Sequence, residues 1–546
     1  MTLRRIGIGL AAMALGLTAS ACARHSTRPD CPVGEQCLLF GNGSEPSTLD
    51  PALSQGTWEQ QIIDDLMVGL VQNDAVGAPI PGIADRWQVS PDGLTWTFHL
   101  RDAKWSDGLP VTAGDFVLGM QREEDPKIAS NYASLLYFIK GAEAVNEGKA
   151  PPSALGVVAV DDHTLRIDLL HPTPYLLQLA KHTSMMPAPR QAVAKWGDAW
   201  SEPGHYVSDG PYTLVDWKLN DHVALKKNPL FYDAATVRID QVVYYPTTDP
   251  LSAERRVRSG ELDINDGIKG GRVAFLRRPD QIPAYVHLNT FLGSDYLTFN
   301  IKGVPALRDV RVRQAMTMDI DRDFISDKVA RGVSPPADTL VPPGVDNYPG
   351  SILPHWARWS FPQRQAEAKR LMAEAGYSPA HPLKVDIKIR GTSGAAFAFA
   401  AVQADWKAIG VEATLTRNET QVAYADFSAH AFQIADAGWI ADYDDPMSFL
   451  YLLRSDDDGM NYGLYQNPAY DALINKADAE VDVKKRGLYL QQAEHMALED
   501  AAIAPWAYAI SDSLVSPRVK GWQDNLLNVH PVRFMSLPPT PPASGR

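Results

Sequence analysis

The chain has few cysteines, a deficit of positive charge and no apolar run long enough to cross a bilayer. A membrane-spanning helix needs about 20 apolar residues, whereas the uncharged N-terminal run covers only residues 6–21. Lysine and arginine number 51 against 65 acidic residues, and this net charge of −14 argues against a nucleic-acid partner. The 546 residues, of which 45% are apolar, suffice for at least two globular lobes with buried cores.

The motifs of common catalytic and cofactor sites are also missing. The chain contains no G-x-S-x-G nucleophile elbow, no H-E-x-x-H helix and no G-x-x-x-x-G-K-[ST] phosphate loop. We therefore expect no catalytic residues, no cofactor and no metal site. A secreted hydrolase, which would need a nucleophile and a base in a cleft, stays open as the alternative class.

The N-terminus has the pattern of an export signal. Two arginines precede the apolar run of residues 6–21, and small residues stand directly before Cys22. This pattern predicts a signal peptide over residues 1–21 and resembles a bacterial lipoprotein signal, in which Cys22 carries the lipid. Ala19 stands where such signals usually have leucine, so a plain signal peptide cut nearby is the alternative. The expected location is the periplasm or cell envelope, with the lipid as the sole membrane contact.

The two cysteines that follow, Cys31 and Cys37, are close together in sequence. In an exported protein an even pair at this spacing favours a local disulfide. A two-cysteine zinc site is the rival interpretation, but no histidine stands nearby at ligand spacing. The disulfide is the prediction.

The body of the chain has the pattern of an α/β fold. Apolar residues alternate over 383–389, which predicts a half-buried strand. Helices are predicted over 365–375 and 395–409, each followed by glycine, and a second strand over 411–416. Strand, helix and strand in this order predict a right-handed βαβ unit. Further short strands are predicted over 95–100, 164–169, 223–227 and 237–245.

Several segments in unbroken order resemble one family. They are 45–51 (EPSTLDP), 84–87 (ADRW), 90–93 (SPDG), 100–108 (LRDAKWSDG), 208–214 (SDGPYTL), 309–315 (DVRVRQA) and 437–443 (AGWIADY). The chain is similar over roughly residues 38–535 to the oligopeptide-binding proteins of bacterial ABC importers, which are large solute-binding receptors. The resemblance implies a periplasmic-binding-protein-like α/β fold with two main lobes around a cleft and a further inserted lobe.

The resemblance also implies lobe boundaries. A tether over residues 22–37 would follow the signal peptide. The first lobe would be discontinuous and the second inserted into it, with the third forming the other wall of the cleft. The ranges are 38–67, 206–296 and 510–546 for lobe I, 68–205 for lobe II and 297–509 for lobe III.

Asp442 is the main site residue that the resemblance implies. In the family the aspartate at this place binds the α-ammonium of a peptide ligand. A carboxylate in a closed cleft is costly unless it is paired, and the N-terminus of a peptide would supply the partner. Asp444 and Asp445 stand close enough in sequence to be substitutes, and an aspartate that caps a turn is the structural alternative.

The rest of the recognition would come from main chain at two strand edges and from aromatic side chains. An extended peptide can pair with a strand edge independently of its sequence. Trp439 would form a pocket wall or pack in the core, and two tyrosines match cleft residues of the family. The implied residues are Gln55, Gly56 and Thr57 on one edge, Gly438, Trp439 and Ile440 on the other, and Tyr296 and Tyr508.

The chain departs from the family pattern in two respects. Gly293 and Ile440 occupy the places of two cysteines that form a disulfide in the best-studied pattern. Asp436 and Phe427 stand where basic residues meet the C-terminal carboxylate of the ligand. Substitutes for those basic residues would be Lys328, Arg331 or Arg390.

These features together favour a monomeric receptor without catalytic activity. It would capture peptides in a closing cleft and deliver them to the permease subunits of an ABC importer. Three alternatives stay open. They are a receptor of the same fold for a dipeptide, murein peptide, nickel or haem, a signalling or adhesion lipoprotein of this fold, and the secreted hydrolase.

Overall fold

The computed structural model describes residues 31–391, 395–457 and 459–540. The predicted signal peptide and Cys22 lie outside the described residues. A disulfide joins Cys31 and Cys37, whose Cα atoms are 5.6 Å apart, and it holds the chain at the start of the first strand. Within the described ranges no helix combines the length and apolar character that a membrane crossing requires.

Helices and strands alternate along most of the described chain, which gives the α/β class expected from the sequence. The strands are β1 (Cys37–Gly41), β2 (Val71–Asn73), β3 (Pro79–Pro81), β4 (Ala84–Val89), β5 (Thr95–Leu100), β6 (Val157–Asp161), β7 (Thr164–Asp168), β8 (Tyr212–Lys218), β9 (His222–Lys227), β10 (Gln241–Tyr245), β11 (Ile264–Asp266), β12 (Val286–Phe299), β13 (Leu383–Arg390), β14 (Val411–Asn418), β15 (Ile434–Ile440) and β16 (Ile503–Val515). The helices are α1 (Thr57–Leu66), α2 (Ala113–Glu123), α3 (Ala142–Asn146), α4 (Leu176–Leu179), α5 (Arg190–Trp196), α6 (Pro250–Ser259), α7 (Val273–Leu276), α8 (Val310–Met318), α9 (Arg322–Phe324), α10 (Phe361–Glu374), α11 (Ala395–Ala408), α12 (Thr420–Ser428), α13 (Met447–Leu450), α14 (Pro468–Asp478) and α15 (Val483–Glu499).

The strand–helix–strand unit predicted over 383–416 is present as β13, α11 and β14. The two strands pair in parallel along their whole length, and burial alternates along β13 as the period of two predicts. The helix predicted over 365–375 begins earlier, at Phe361, because Ser360 and Gln363 form a capping box. The strand predicted over 237–245 is shorter and begins at Gln241.

Two long strands, β12 and β16, join the halves of a ten-stranded sheet. The strand order is β14-β13-β15-β12-β16-β11-β1-β10-β9-β8. β12 pairs with β15 from Gly293 onward, whereas the far end of β16 pairs with β11. The register between β12 and β16 shifts between Thr290 and Ser294. Irregular pairing of this kind typically bends strands and increases their twist.

Separate cores lie on the two sides of this junction. On one side, Phe40 of β1 belongs to the same core as Phe98 and Trp105, which pack with the four-stranded sheet β4-β5-β7-β6. On the other side, Trp406 of α11 packs with β13 and β15, and Tyr470 of α14 packs with α15 in a further core. The sheet β4-β5-β7-β6, which falls in predicted lobe II, therefore packs as an extension of predicted lobe I.

Candidate functional site

A cavity of about 360 Å³ lies where the two halves of the sheet meet. This volume falls in the usual range for small-ligand pockets. Side chains from all three predicted lobes line it. They include Thr57, Gln60 and Asp64 of α1, Tyr132, Gln178, Lys181 and His182 of predicted lobe II, Phe291 and Leu292 of β12, and the segment 440–444 after β15.

Next to the cavity, the strand β15 has a main-chain edge with which no other described strand pairs. On one side it pairs with β12, but on the other side β13 pairs only with Ile434 and Ala435. The amide of Ala441 donates to the carbonyl of Leu292 at 2.9 Å, which fixes the phase of the antiparallel ladder. Because ladder bonds alternate in such a pair, the main-chain groups of Gly438 and Ile440 point away from β12, toward this edge. There the Tyr424 hydroxyl donates to the carbonyl of Gly438 at 3.4 Å.

Asp442 follows this edge and faces the cavity. Its side chain accepts no hydrogen bond and forms no ion pair with the described residues. Surrounding protein atoms partly desolvate the carboxylate and raise its pKa, although the residue is exposed in the cleft. Burial also raises the pKa of the Tyr132 and Tyr451 hydroxyls, and the charge of Asp442 adds to that effect. The cavity therefore contains a carboxylate without a counter-charge.

The neighbouring aspartates have partners. Asp445 is fully buried, and its two oxygens accept from Arg486 at 2.7 and 2.8 Å. Asp444 accepts from the amide of Asp346 at 2.9 Å, and burial raises its pKa to about 6. Of the three aspartates in the segment 442–445, only Asp442 lacks a partner among the described residues.

The opposite wall of the cavity carries one ammonium group and a further carboxylate. Lys181 donates to the carbonyl of Gly77 at 2.7 Å, and burial lowers its pKa to about 8. Burial raises the pKa of Asp64 to about 7 and lowers that of His182 to about 4. At neutral pH His182 is therefore uncharged, and carboxylates outnumber cations in the cavity wall.

Contacts also join predicted lobes II and III beside the cavity. The rings of Tyr175 and Tyr443 stack with centroids 5.0 Å apart, and the Arg486 guanidinium lies 4.7 Å from the Tyr175 ring centroid. Gln178 donates to Asp346 at 2.6 Å. The salt bridge of Arg486 thus supports a contact between the lobes as well as the loop that carries Asp442.

The segment 55–57 is not the strand edge that the resemblance implied. Thr57 is the first residue of α1 and lines the cavity, and Gly56 is the N-cap of that helix. The amides of Gln55 and Gly56 donate to Glu59 at 2.9 and 2.7 Å. A capping carboxylate satisfies these donors, so the segment offers a helix start where a strand edge was expected.

Three aromatic residues of the predicted site lie behind the cavity surface. Trp439 packs edge-on against Tyr451 with centroids 5.7 Å apart, and its buried indole nitrogen has no hydrogen-bond partner among the described residues. Tyr296 is 4% exposed within the core formed with α14 and α15. The hydroxyl of Tyr508 forms a hydrogen bond with that of Thr339 at 2.5 Å. None of these three rings is part of the cavity wall described above, and their contact with a ligand stays a prediction.

The three cations considered for the ligand's C-terminus differ in their surroundings. Arg390 donates to Asp436 at 3.0 Å and to Asp295 at 2.8 Å. Lys328 and Arg331 are exposed and form no ion pair with any described residue. Arg390 is therefore neutralised by carboxylates, whereas Lys328 and Arg331 have no such partner but are not part of the cavity wall described above.

Sequence reasoning missed the contribution of predicted lobe II. Gln178, Lys181 and His182 reach the cavity from a segment more than 250 residues away from Asp442, and no local pattern marks them. A signal for the α1 wall did exist. Thr57, Gln60 and Asp64 recur at helical spacing and form a polar stripe.

Comparisons with known proteins match the chain to one family and to several solved structures. Residues 78–461 match the family described as bacterial extracellular solute-binding proteins, family 5 middle. The chain is 38% identical over 522 residues to the periplasmic oligopeptide-binding protein OppA of Escherichia coli K12, covering 93% of this chain and 95% of that protein.

Solved structures also resemble it. The unliganded open form of the periplasmic murein tripeptide-binding protein MppA matches with a TM-score of 0.85 at 33% identity, over 93% of this chain and 99% of that one. Haemophilus influenzae OppA in complex with the peptide RPPGFSPFR matches with a TM-score of 0.72 at 31% identity, over 92% and 99% of the two chains. At similar identity the unliganded open form has the higher TM-score, so the arrangement of the lobes here is more similar to that form than to the peptide complex.

Proposed function

The chain belongs to the bacterial extracellular solute-binding proteins of family 5, and on this premise we propose that it is a peptide receptor of an ABC importer. It captures peptides in the cleft between the lobes and delivers them to the permease subunits. The relatives named for oligopeptide and murein tripeptide binding support this ligand class.

The observation that carries the proposal is the carboxylate of Asp442, which has no partner among the described residues, beside an edge of β15 with which no other described strand pairs. A peptide has an ammonium group at its N-terminus, followed at once by amides and carbonyls. The first group would neutralise Asp442, and the main chain would pair with Gly438 and Ile440 as an added strand. A ligand that lacks both features would leave the carboxylate without a partner in a closed cleft.

Closure of the cleft would complete this site. In the open arrangement Asp442 is in contact with solvent, whereas α1 and predicted lobe II stand across the cavity. The two strands β12 and β16 connect the halves of the sheet, and the register shift between Thr290 and Ser294 is the proposed hinge. We retain the lobe boundaries of the sequence analysis as a proposal, although Leu292 already packs in the core with α14 and α15.

The hydrolase alternative has one histidine among the described residues of the cavity wall, His182, whose partner is Ser184. The Ser184 hydroxyl lies 2.8 Å from the His182 ring, but Ser184 is only 3% exposed. Burial holds the pKa of His182 near 4, which makes the imidazole a weak base. A buried hydroxyl beside a weak base favours a structural turn over a nucleophile, and therefore a receptor over an enzyme.

Mass spectrometry of ligands that co-purify with the protein tests this function. We expect peptides with free N-termini in the bound fraction. Incubation with a mixed peptide library should retain a subset of peptides and return every one of them intact. A bound fraction without peptides, or time-dependent cleavage that stops in a His182→Ala variant, would overturn the proposal.

We further propose that the receptor is a monomer held at the periplasmic or cell-envelope side of a membrane by a lipid on Cys22. The arginine-led apolar run before Cys22 supports this attachment. Intact-mass measurement of the mature protein should show a diacylglycerol-modified N-terminus, and a Cys22→Ser variant should leave the membrane fraction. Wild-type protein that is soluble and cut at another position would contradict the anchor.

A further inference from the structure

Three charged side chains, one each from β12, β13 and β15, form a cluster beside the proposed main-chain edge. The Arg390 guanidinium stands between two carboxylates, with Nη2 donating to Asp436 at 3.0 Å and to Asp295 at 2.8 Å. Its Nη1 also donates to the hydroxyl of Tyr424 at 3.1 Å. One cation between two anions gives this cluster a formal charge of −1.

The cluster lies directly over Gly438. A Cβ atom at Gly438 would come within 2.5 Å of Asp295 Oδ1 and 2.8 Å of Arg390 Nη1, so a larger residue there would require these side-chain ends to move. Asp295 and Gly438 are cross-strand neighbours of the type that exchanges no ladder bonds, in which side chains approach most closely. They share a sheet face with Ile440, which is a wall of the cavity.

The exposure of the three groups decides which of them a ligand would meet. The Asp436 side chain is fully buried, that of Arg390 is 14% exposed and that of Asp295 is 31% exposed. Asp295 accepts from Arg390 through Oδ1, whereas its Oδ2 accepts no hydrogen bond from the described residues. The accessible part of the cluster is therefore an anionic oxygen.

We propose that Asp295 is a specificity-determining residue that favours peptides with a lysine or arginine side chain near their N-terminus. This inference rests on the proposed function, because the ligand's main chain must lie along Gly438 and Ile440. A peptide strand on that edge would place side chains on the face that carries Asp295. A cationic side chain there would neutralise the charge of −1 and donate to the unused oxygen.

The same geometry disfavours the other use of the cluster, in which Arg390 would bind the ligand's C-terminal carboxylate. The donors of Arg390 are directed to Asp295, Asp436 and Tyr424, and an added carboxylate would raise the local charge to −2. Like charges in such proximity repel. Arg390 thus acts as a positioning residue that holds Asp295 against β15.

Calorimetric titration with matched tripeptides tests the inference. The series carries lysine, norleucine or glutamate at one position and alanine at the other two, for each of the three positions. At one position or more, lysine should bind wild type about three- to tenfold more tightly than norleucine, and glutamate more weakly. The Asp295→Asn variant should lose most of that preference, whereas Asp295→Glu and the distant, fully exposed control Asp102→Asn should keep it.

Equal affinity for the lysine and norleucine peptides, or a preference that survives in Asp295→Asn, would overturn this inference alone. If no peptide in the series binds wild type, the proposed function itself fails and the inference fails with it. Thermal unfolding establishes whether Asp295→Asn is folded. If it is not, the lysine preference of wild type is compared at low and high salt. Screening should diminish the preference, and a preference that salt does not change would contradict a role for charge.

Discussion

Asp442 and Asp445 lie three residues apart on one loop, and the protein compensates their charges in opposite ways. Asp445 is fully buried and receives two hydrogen bonds from Arg486. Asp442 faces the cavity, and no described residue neutralises it. The first carboxylate has its counter-charge within the chain, whereas the second has a counter-charge only if a ligand brings one. Asp445 therefore stabilises the loop, whereas Asp442 is the candidate ligand-binding residue on it.

The largest expected effect is the loss of stability when the buried pair of Asp445 and Arg486 is broken. Replacement of Asp445 by alanine leaves the Arg486 guanidinium buried without its counter-charge, which typically lowers the free energy of unfolding by about 3–5 kcal/mol. It also frees the cation that stacks on Tyr175 between the lobes. Urea denaturation of the ligand-free protein measures the loss.

Two controls sharpen that measurement. Asp442→Ala, on the same loop, should leave the urea midpoint unchanged or higher. The double variant Asp445→Ala/Arg486→Met should recover part of the loss, since it removes the stranded charge. A similar loss of stability in Asp442→Ala and Asp445→Ala would abolish the distinction between the two aspartates.

The next largest expected effect is a loss of affinity for peptides when Asp442 is replaced. If Asp442 pairs with the ammonium group in the closed cleft, Asp442→Ala should bind peptides at least about a hundredfold more weakly, because loss of one partner of a buried pair costs about 3–5 kcal/mol. Acetylation of the peptide's N-terminus should weaken binding to wild type comparably. The loss of binding free energy with both changes together should be clearly smaller than the sum of the two separate losses. Calorimetry of the four combinations decides this, and equal binding of acetylated and free peptides would show that the anchor lies elsewhere.

Local patterns predicted the elements of this fold better than they predicted the cavity. The alternation over 383–389 depends only on neighbouring residues, and β13 follows it closely. The position of Gln178 and Lys181 at the cavity depends on how predicted lobe II packs against lobe I. That packing arises from many buried contacts distant in sequence, so no segment of the chain reveals it by itself.

The two predicted main-chain edges illustrate the same limit. β15 is present, and no other described strand pairs with its edge at Gly438 and Ile440, although ligand contact there stays a prediction. The segment 55–57 instead starts α1, because Glu59 accepts from the amides before the helix. The resemblance assigned both segments to strand edges, and for 55–57 that backbone conformation is wrong. The pairing of Arg390 with Asp436 could not be predicted from the sequence either, since it joins two strands that pair over only two residues each.

The smallest expected effect tests the charge of Asp442 in the absence of ligand. Because desolvation raises its pKa in the folded state, the folded protein binds this proton more tightly than the unfolded chain does. The carboxylate therefore lowers stability once the pH exceeds its raised pKa, and the penalty disappears below the ordinary aspartate pKa of about 3.9. At pH 7 to 8, Asp442→Asn should thus be slightly more stable than wild type and unfold at a slightly higher temperature. The gain in free energy of unfolding should be less than about 1 kcal/mol, since the group contacts solvent. The difference in stability between the two proteins should narrow toward pH 4.5.

Saturating peptide should make wild type the more stable of the two proteins, because wild type gains the ion pair and the variant does not. Scanning calorimetry across this pH range, with and without peptide, measures the sign of the stability difference between wild type and variant in both conditions. If wild type is the more stable protein without ligand at pH 8, Asp442 has a partner within the chain and is no longer the candidate anchor.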